Sequence, residues 1–531
     1  MSDGGLLSIA FKAIIQIIKW VIKGLMFLGF KWVLVPCGIG LVLMFFGVAH
    51  GNFIYKLIDN LILIGFILVP FELVQNVYRM TKQDRTFNVY KALFTIFKKK
   101  KVGFTSKIDG TIVDGVNSNE VNGFVFGKKN GKYVTKPETT DGHILVIGGA
   151  GSGKTSGVAI PTLMSWKNPI FAIDIKGELY QKTKDKRDIN NIKVFDPTNH
   201  NAYGYDPFYL LRKSTDKPSE ARQLALAICP LSADVKDPFW IKSAQNMLTG
   251  LILYYNGFDM NFSQAMKKIK TKPIKEQIEQ VMLDNNESAK LELSQFHDMD
   301  EKTLSGIFTE LSNNITIFAT SEELQNALSG EGRCITPDDL EKGYDIYCCI
   351  PEHKLEEWKS LLAMMCNQFL KSFERRSEEN QTPILFLIDE FARLGKIEAI
   401  SNGLATLRSK KIHIALFVQS KAQLNVNYGK DVAEVITDNC SYKAILKASE
   451  PTTQEWCSKL VGTYDKEKKS SNFNADVTGM AKGSGTSRTT EEKRIIKPEE
   501  FAYLKDVVCI FPNGYKRIEK IKYWEDKAFS N

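Results

Sequence analysis

His143-Ile144-Leu145-Val146-Ile147-Gly148-Gly149-Ala150-Gly151-Ser152-Gly153-Lys154-Thr155 is the run on which the fold class turns. An apolar strand leads into Gly148–Thr155, which satisfies G-x-x-x-x-G-K-[ST] at every position, and a helix-competent stretch follows to about residue 164. Strand, glycine loop and helix in that order form a phosphate-binding loop. Glycines allow backbone N–H groups to curl around an anion, and the helix start turns its positive dipole end on the same charge. Lys154 is expected to neutralise the β- and γ-phosphates of ATP, and Thr155 to ligate Mg²⁺. The nucleotide contacts are therefore expected from Gly148, Gly149, Ala150, Gly151, Ser152, Gly153, Lys154 and Thr155. A plain glycine-rich turn would not need the Lys-Thr ending.

Upstream, residues 121–134 read as a hairpin turning at 129–131. Downstream, strands are predicted at 169–175 and 191–195, and strands alternating with helices argue for a parallel sheet. Between 257 and 340 the strand signal stops, and charged, helix-competent segments follow one another, with Pro273 separating the first two. The α/β pattern resumes at 344–350, with a helix at 354–373 and strands at 384–388, 413–418 and 443–447. Residues 466–493 are polar and rich in Ser, Thr and Gly, and read as a mobile loop. A strand pair at 507–511 and 516–521 completes the pattern. The expected fold is α/β: a parallel-sheet P-loop NTPase in two parts, 121–256 and 341–531, with an all-α inserted domain at 257–340.

A second half of the site is expected at Pro383-Ile384-Leu385-Phe386-Leu387-Ile388-Asp389-Glu390, a buried strand ending in two carboxylates. Asp389 would hold Mg²⁺, and Glu390 would orient and deprotonate the attacking water. Gln419 follows the apolar run 412–418 and is placed to sense the γ-phosphate from the strand beside the Asp-Glu strand. Arg408 lies between these two strands. It reads equally as a solvated basic turn or as a finger projected into a neighbouring subunit's site. Arg393 and Arg494 are lesser candidates for that role.

The first 75 residues differ from the rest. Residues 32–48 are uncharged and apolar, 61–71 form a second such run, weaker as a span and extended to 54–74 with Lys56, Asp59 and Glu72 near its ends, and 32–75 is expected to be a transmembrane hairpin of two spans. Lys12, Lys19, Lys23 and Lys31 precede it, and Arg79, Lys82, Arg85, Lys91 and residues 98–101 follow. The basic flanks are expected on the cytoplasmic side of an inner membrane. Residues 1–31 read as an interfacial amphipathic segment and 76–120 as a basic juxtamembrane linker. The net charge of +9 permits contact with nucleic acid or anionic lipid without demanding it. The nine cysteines form no CxxC pair and have no histidine cluster beside them. They read as small buried residues in a reducing compartment, which argues against a structural zinc or a disulfide framework.

Taken together, the chain resembles the TraG/TraD-type coupling proteins of type IV secretion and conjugation. The matching stretches are 143–155, Ile173-Asp174-Ile175-Lys176-Gly177-Glu178-Leu179, Asp237-Pro238-Phe239-Trp240, 388–395 and 418–424. The resemblance implies a RecA-like hexameric motor at the base of an export channel, with its all-α domain facing the cytoplasm and Arg408 as the in-trans finger. It implies recruitment of a relaxase bound to single-stranded DNA, and contact with other type IV secretion channel subunits. Asp174, Lys176 and Glu178 match a family block without an evident chemical role, and a salt-bridged strand end is their plain reading. On this reading the chain is expected to lack the long tail that some members carry after the last strand, and to have a short outer loop. Three other readings are a motor for effector proteins, a cargo receptor that does not hydrolyse nucleotide, and a double-stranded-DNA translocase.

Overall fold

The computed structural model describes residues 111–113 and 121–530, except 232–234, 380 and 476–480. The transmembrane hairpin expected at 32–75 and the segment 1–31 lie outside the described residues, as does nearly all of 76–120. Among the described residues no helix is long and apolar enough to cross a membrane.

The strands, in chain order, are β1 (Thr111–Val113), β2 (Phe124–Lys129), β3 (Lys132–Lys136), β4 (Ile144–Gly148), β5 (Ile170–Asp174), β6 (Ile192–Phe195), β7 (Gly204–Tyr205), β8 (Cys334–Ile335), β9 (Asp345–Cys349), β10 (Ile384–Ile388), β11 (Ile412–Val418), β12 (Tyr442–Lys447), β13 (Thr463–Ala475), β14 (Ala481–Arg494), β15 (Val507–Phe511) and β16 (Gly514–Ile518). Nine of them form the central sheet, in the order β16-β15-β12-β4-β11-β10-β5-β9-β6. From β12 to β6 the strands run parallel, while β15 and β16 are antiparallel. A parallel sheet covered on both faces calls for continuous apolar strands. Accordingly β4, β5, β9, β10 and β11 are buried at every position. Alternate residues feed two cores: Leu145, Ile147, Phe386 and Leu416 face one, while Ile144, Val146, Leu387 and Phe417 face the other. Each such side chain, fully buried, contributes about 1.5–3 kcal/mol.

The hairpin β2–β3 turns through Asn130 and Gly131, both at positive φ, which is the geometry of the two-residue turn that matches strand twist. Between β7 and β8 the chain is helical, from Tyr209–Lys213 to Glu322–Ala327. This stretch begins well before residue 257. Its central helix, Phe239–Asn256, is buried at nearly every position from Ser243 to Tyr255 and packs against Lys217–Ile228, Glu287–His297 and Glu301–Thr320. The mostly apolar run 247–255 within it has no polar stripe to set it apart from a buried strand. The later helices start where Asn261, Asn286 and Asp300 accept hydrogen bonds from first-turn N–H groups, each cap contributing about 1 kcal/mol. The helices and the sheet share one core, in which Leu248, Leu311 and Phe318 continue the packing of Phe171 and Ile388.

Within 466–493, read from composition as a mobile loop, the backbone pairs: Thr463–Ala475 and Ala481–Arg494 form an antiparallel hairpin with Lys466 opposite Glu491. The ladder bonds are backbone bonds and require no apolar face, so hydrophobic periodicity does not reveal them. Among the described residues every cysteine but Cys334 is buried, and burial pushes thiols such as Cys366 up to about 12.

Candidate functional site

The sheet order places β11 between β4 and β10. The carboxyl ends of these three strands, Gly148, Val418 and Ile388, therefore lie side by side, and the residues after them form the floor of one crevice. Ligands of open parallel sheets bind at this edge.

On the loop, Gly151 and Gly153 have φ of +68° and +94°, which a side chain would strain. Lys154 is almost wholly buried, and its Nζ donates to the Gly148 carbonyl at 2.6 Å. The following helix opens with a π turn over Thr155–Ala159 before becoming α at Ile160–Ser165. Thr155 Oγ1 donates to Asp389 Oδ2 at 3.3 Å, so the hydroxyl and carboxylate expected to share Mg²⁺ already face each other. This donor pair suits the ion, which takes few protein oxygens and completes its shell with water and phosphate. Glu390 Oε1 lies 3.7 Å from Lys154 Nζ, and Gln419 Nε2 donates to Glu390 Oε2 at 3.0 Å. Lys154, Thr155, Asp389, Glu390 and Gln419 thus form one connected set, built from three strand ends.

Two features of that set are strained. Glu390 has φ +49° and ψ +39°, the left-handed region that non-glycine residues seldom occupy. Burial pushes the Asp389 carboxyl up to about 6, with the neighbouring Glu390 charge adding to the effect while Lys154 and the hydrogen bonds oppose it. The Glu390 backbone is thus held in a sparsely populated conformation, and burial disfavours the charged form of Asp389.

Other candidates fall elsewhere. Arg408 is exposed on the turn before β11, at the end of that strand opposite Gln419. At about 3.3 Å per residue the strand separates them by roughly 25 Å, so Arg408 does not reach the crevice of its own chain. Arg393 donates to Glu352 at 2.9 Å and Arg494 to Glu455 at 2.8 Å, and both guanidiniums are thereby engaged. Asp174 is not the salt-bridged strand end that its surroundings suggested. Its carboxylate accepts from Tyr180 N at 2.9 Å and faces the amides of Leu179, Lys176 and Gly177, so it ties β5 to the next helix. Burial raises its pKa and those amides oppose the rise.

Sequence reasoning missed the segment behind the loop. Lys520 donates to the Ser152 carbonyl at 3.2 Å, and Tyr523 N to the Ser156 carbonyl at 3.4 Å. A Cβ on Gly157 would stand 2.7 Å from the Ile521 carbonyl oxygen, so only glycine admits this approach. No motif marks residues 520–523. The Gly at 157, just inside a helix, is the single local sign of a close neighbour.

Comparison with known proteins follows the same lines. The chain is 24% identical over 442 residues to Protein VirD4 of Rhizobium rhizogenes, covering 77% of this chain and 63% of that protein. It is 25% identical over 393 residues to the conjugal transfer protein TraG of Agrobacterium fabrum, covering 70% and 58%. The chain thus spans less than two thirds of the length of these relatives. Among solved structures, the plasmid coupling protein TrwB in complex with the ATP analogue ADPNP matches with a TM-score of 0.59 at 16% identity, covering 79% of this chain and 95% of that one. TrwB in complex with ADP and Mg²⁺ matches with a TM-score of 0.59 at 17% identity, covering 78% and 94%. At these identities the likeness speaks for the fold, a mixed α/β architecture on a parallel-sheet core. The model of the family described as type IV secretory system conjugative DNA transfer matches residues 95–531. The chain therefore belongs to that family, the coupling proteins of type IV secretion.

Proposed function

We propose that this chain is a membrane-anchored ATPase that drives single-stranded DNA, delivered with a bound relaxase, into a type IV secretion channel. The observation that carries the catalytic part is the connected set of hydrogen bonds and one ion pair in which Lys154 and Gln419 meet Glu390, and the Glu390 N–H and Thr155 hydroxyl donate to Asp389. Mg²⁺, held by Thr155 and Asp389, would supply charge neutralisation on the phosphates. Lys154, which here rests on the Gly148 carbonyl, turns its ammonium to the β- and γ-phosphates. Glu390 takes the proton of the attacking water, and Gln419 fixes the rotamer of that carboxylate through its amide. Arg408, remote from its own crevice, serves that of the next subunit in a ring of six.

Family membership supports the DNA cargo and a type IV secretion channel as partner, the resemblance to coupling proteins is the ground for the relaxase, and the apolar runs within residues 32–75 support the inner-membrane anchor. The test is Lys154→Ala in the full-length chain. Phosphate release from ATP falls to background and plasmid transfer from a complemented donor is lost. Transfer at the wild-type frequency with this variant would refute the motor.

A further inference from the structure

The ammonium of Lys520 donates to three main-chain carbonyls: Leu446 at 3.1 Å, Ser152 at 3.2 Å and Leu504 at 3.4 Å. An ammonium has three N–H donors, so each is used. Leu446 belongs to β12 and Leu504 follows the 3₁₀ turn Pro498–Tyr503, whereas Ser152 lies within the P-loop. The segment that carries Lys520 is itself fixed on both sides. Glu519 and Lys128 exchange backbone bonds of 2.7 and 3.0 Å, and Lys128 pairs with Asp526 at 2.7 Å. Tyr523 N reaches the Ser156 carbonyl and the Ile521 carbonyl sits against Gly157.

A trans peptide holds its carbonyl and the next N–H on opposite sides, and no peptide among the described residues is cis. The Ser152 carbonyl turned toward Lys520 therefore turns the Gly153 N–H away from it. In the sheet, β12 lies on one side of β4, while β11 and β10, which lead to Gln419, Asp389 and Glu390, lie on the other. We propose that Lys520 is a positioning residue for phosphate binding: it locks the Ser152–Gly153 peptide so that the Gly153 N–H faces the β-phosphate of a bound nucleotide. It acts through the loop and not by touching the ligand. Burial lowers the Lys520 pKa, Asp506 opposes that and Lys447 adds to it, so the three carbonyl acceptors are what hold the ammonium in place. The inference rests on the nucleotide reading above and names a residue that the hydrolytic set does not contain.

The experiment measures Mg²⁺–ADP binding and steady-state ATP hydrolysis on the purified full-length chain and on K520M, K520R and G157A. Loss of one charge-assisted bond to the loop is expected to weaken ADP binding about tenfold in K520M, while K520R, which keeps charge and donors, stays within about threefold of wild type. At saturating ATP, kcat in K520M changes less than about twofold, because Glu390 and Gln419 stand on other strands, so the defect appears in KM. G157A leaves Lys520 intact but pushes the 521 carbonyl away, and it weakens ADP binding in the same direction. That variant decides the matter if K520M does not fold. Wild-type ADP affinity in K520M or in G157A overturns the inference, as does an equal loss in K520R and K520M. A wild-type protein that binds no ADP would instead bring down the nucleotide reading, and this inference with it.

Discussion

Asp389→Asn should make the nucleotide-free protein more stable while removing its hydrolytic activity. The Asp389 carboxyl is held at about 6 against an ordinary 3.8, chiefly by burial and then by Glu390. A folded-state pKa above the unfolded one means that the folded protein binds more protons between those values, so stability falls as pH rises through the window from about 4 to 6. At neutral pH the charged carboxylate therefore costs about 3 kcal/mol. Asparagine keeps the shape and carries no charge to desolvate: its oxygen can accept from Glu390 N in the place of Oδ1, and its NH2, in the place of Oδ2, can donate to Thr155 Oγ1, whose hydroxyl turns to accept. The expected gain is about 1–3 kcal/mol at pH 7.5, shrinking toward zero near pH 4, where wild-type Asp389 is itself protonated. Urea unfolding of both proteins at pH 4, 5, 6 and 7.5, without nucleotide or Mg²⁺, reads this directly. A wild type more stable than the variant at pH 7.5, or a difference that does not change with pH, would refute the reasoning. Mg²⁺–ADP should reverse the order, because the ion stabilises only the protein that keeps its carboxylate.

Glu390→Gln should retain nucleotide binding and lose hydrolysis by about two orders of magnitude or more, measured by phosphate release beside ADP affinity. It should also lower the Asp389 pKa, since the Glu390 charge is one of the causes that raise it; the pH window of stability then moves down. If Arg408 acts on a neighbour, R408A and K154A chains are each inactive alone, and mixed oligomers regain part of the ATPase activity; mixtures as dead as their components would place Arg408 outside the reaction. Asp174→Ala should destabilise the chain by about 1–3 kcal/mol by leaving the Tyr180 amide without its acceptor, with ADP affinity per folded molecule unchanged.

How legible the molecule was in its sequence depended on chain distance. The P-loop and the Asp389–Glu390 pair each sit within one short stretch, where motif and strand stand together, and Gln419 was placed by the strand before it. The adjacency of β11 to both partner strands also agrees with the expectation that Gln419 lies beside the Asp-Glu strand. Lys520 could not be found in this way. Its contact with Ser152 joins residues 368 positions apart, and nothing in the residues around it has a period or pattern. The role of Asp174 was hidden for another reason: its partners are backbone amides, which every residue but proline owns. Helices precede residue 257 as well, and Phe239–Asn256, buried at nearly every position from Ser243 to Tyr255, offers little amphipathic signature. The hairpin at Thr463–Ala475 and Ala481–Arg494 escaped because polar side chains can line a ladder made by the main chain.

The sheet order also bears on how the chain acquires its shape during synthesis. β4 pairs with β11 and β12, and the register joins Ile147 to Val418 and Ile144 to Tyr442. The P-loop strand thus leaves the ribosome some 270 residues before either neighbour exists, and its backing at Lys520–Tyr523 is made later still. The helices between β7 and β8 meet mostly neighbours close in sequence and can condense early, whereas the central sheet waits for its latest strands. Until then an apolar strand with both edges open stands exposed, a hazard for association with other nascent chains. On the proposed function, nucleotide affinity is therefore a late property of the growing polypeptide, appearing only when the sheet closes.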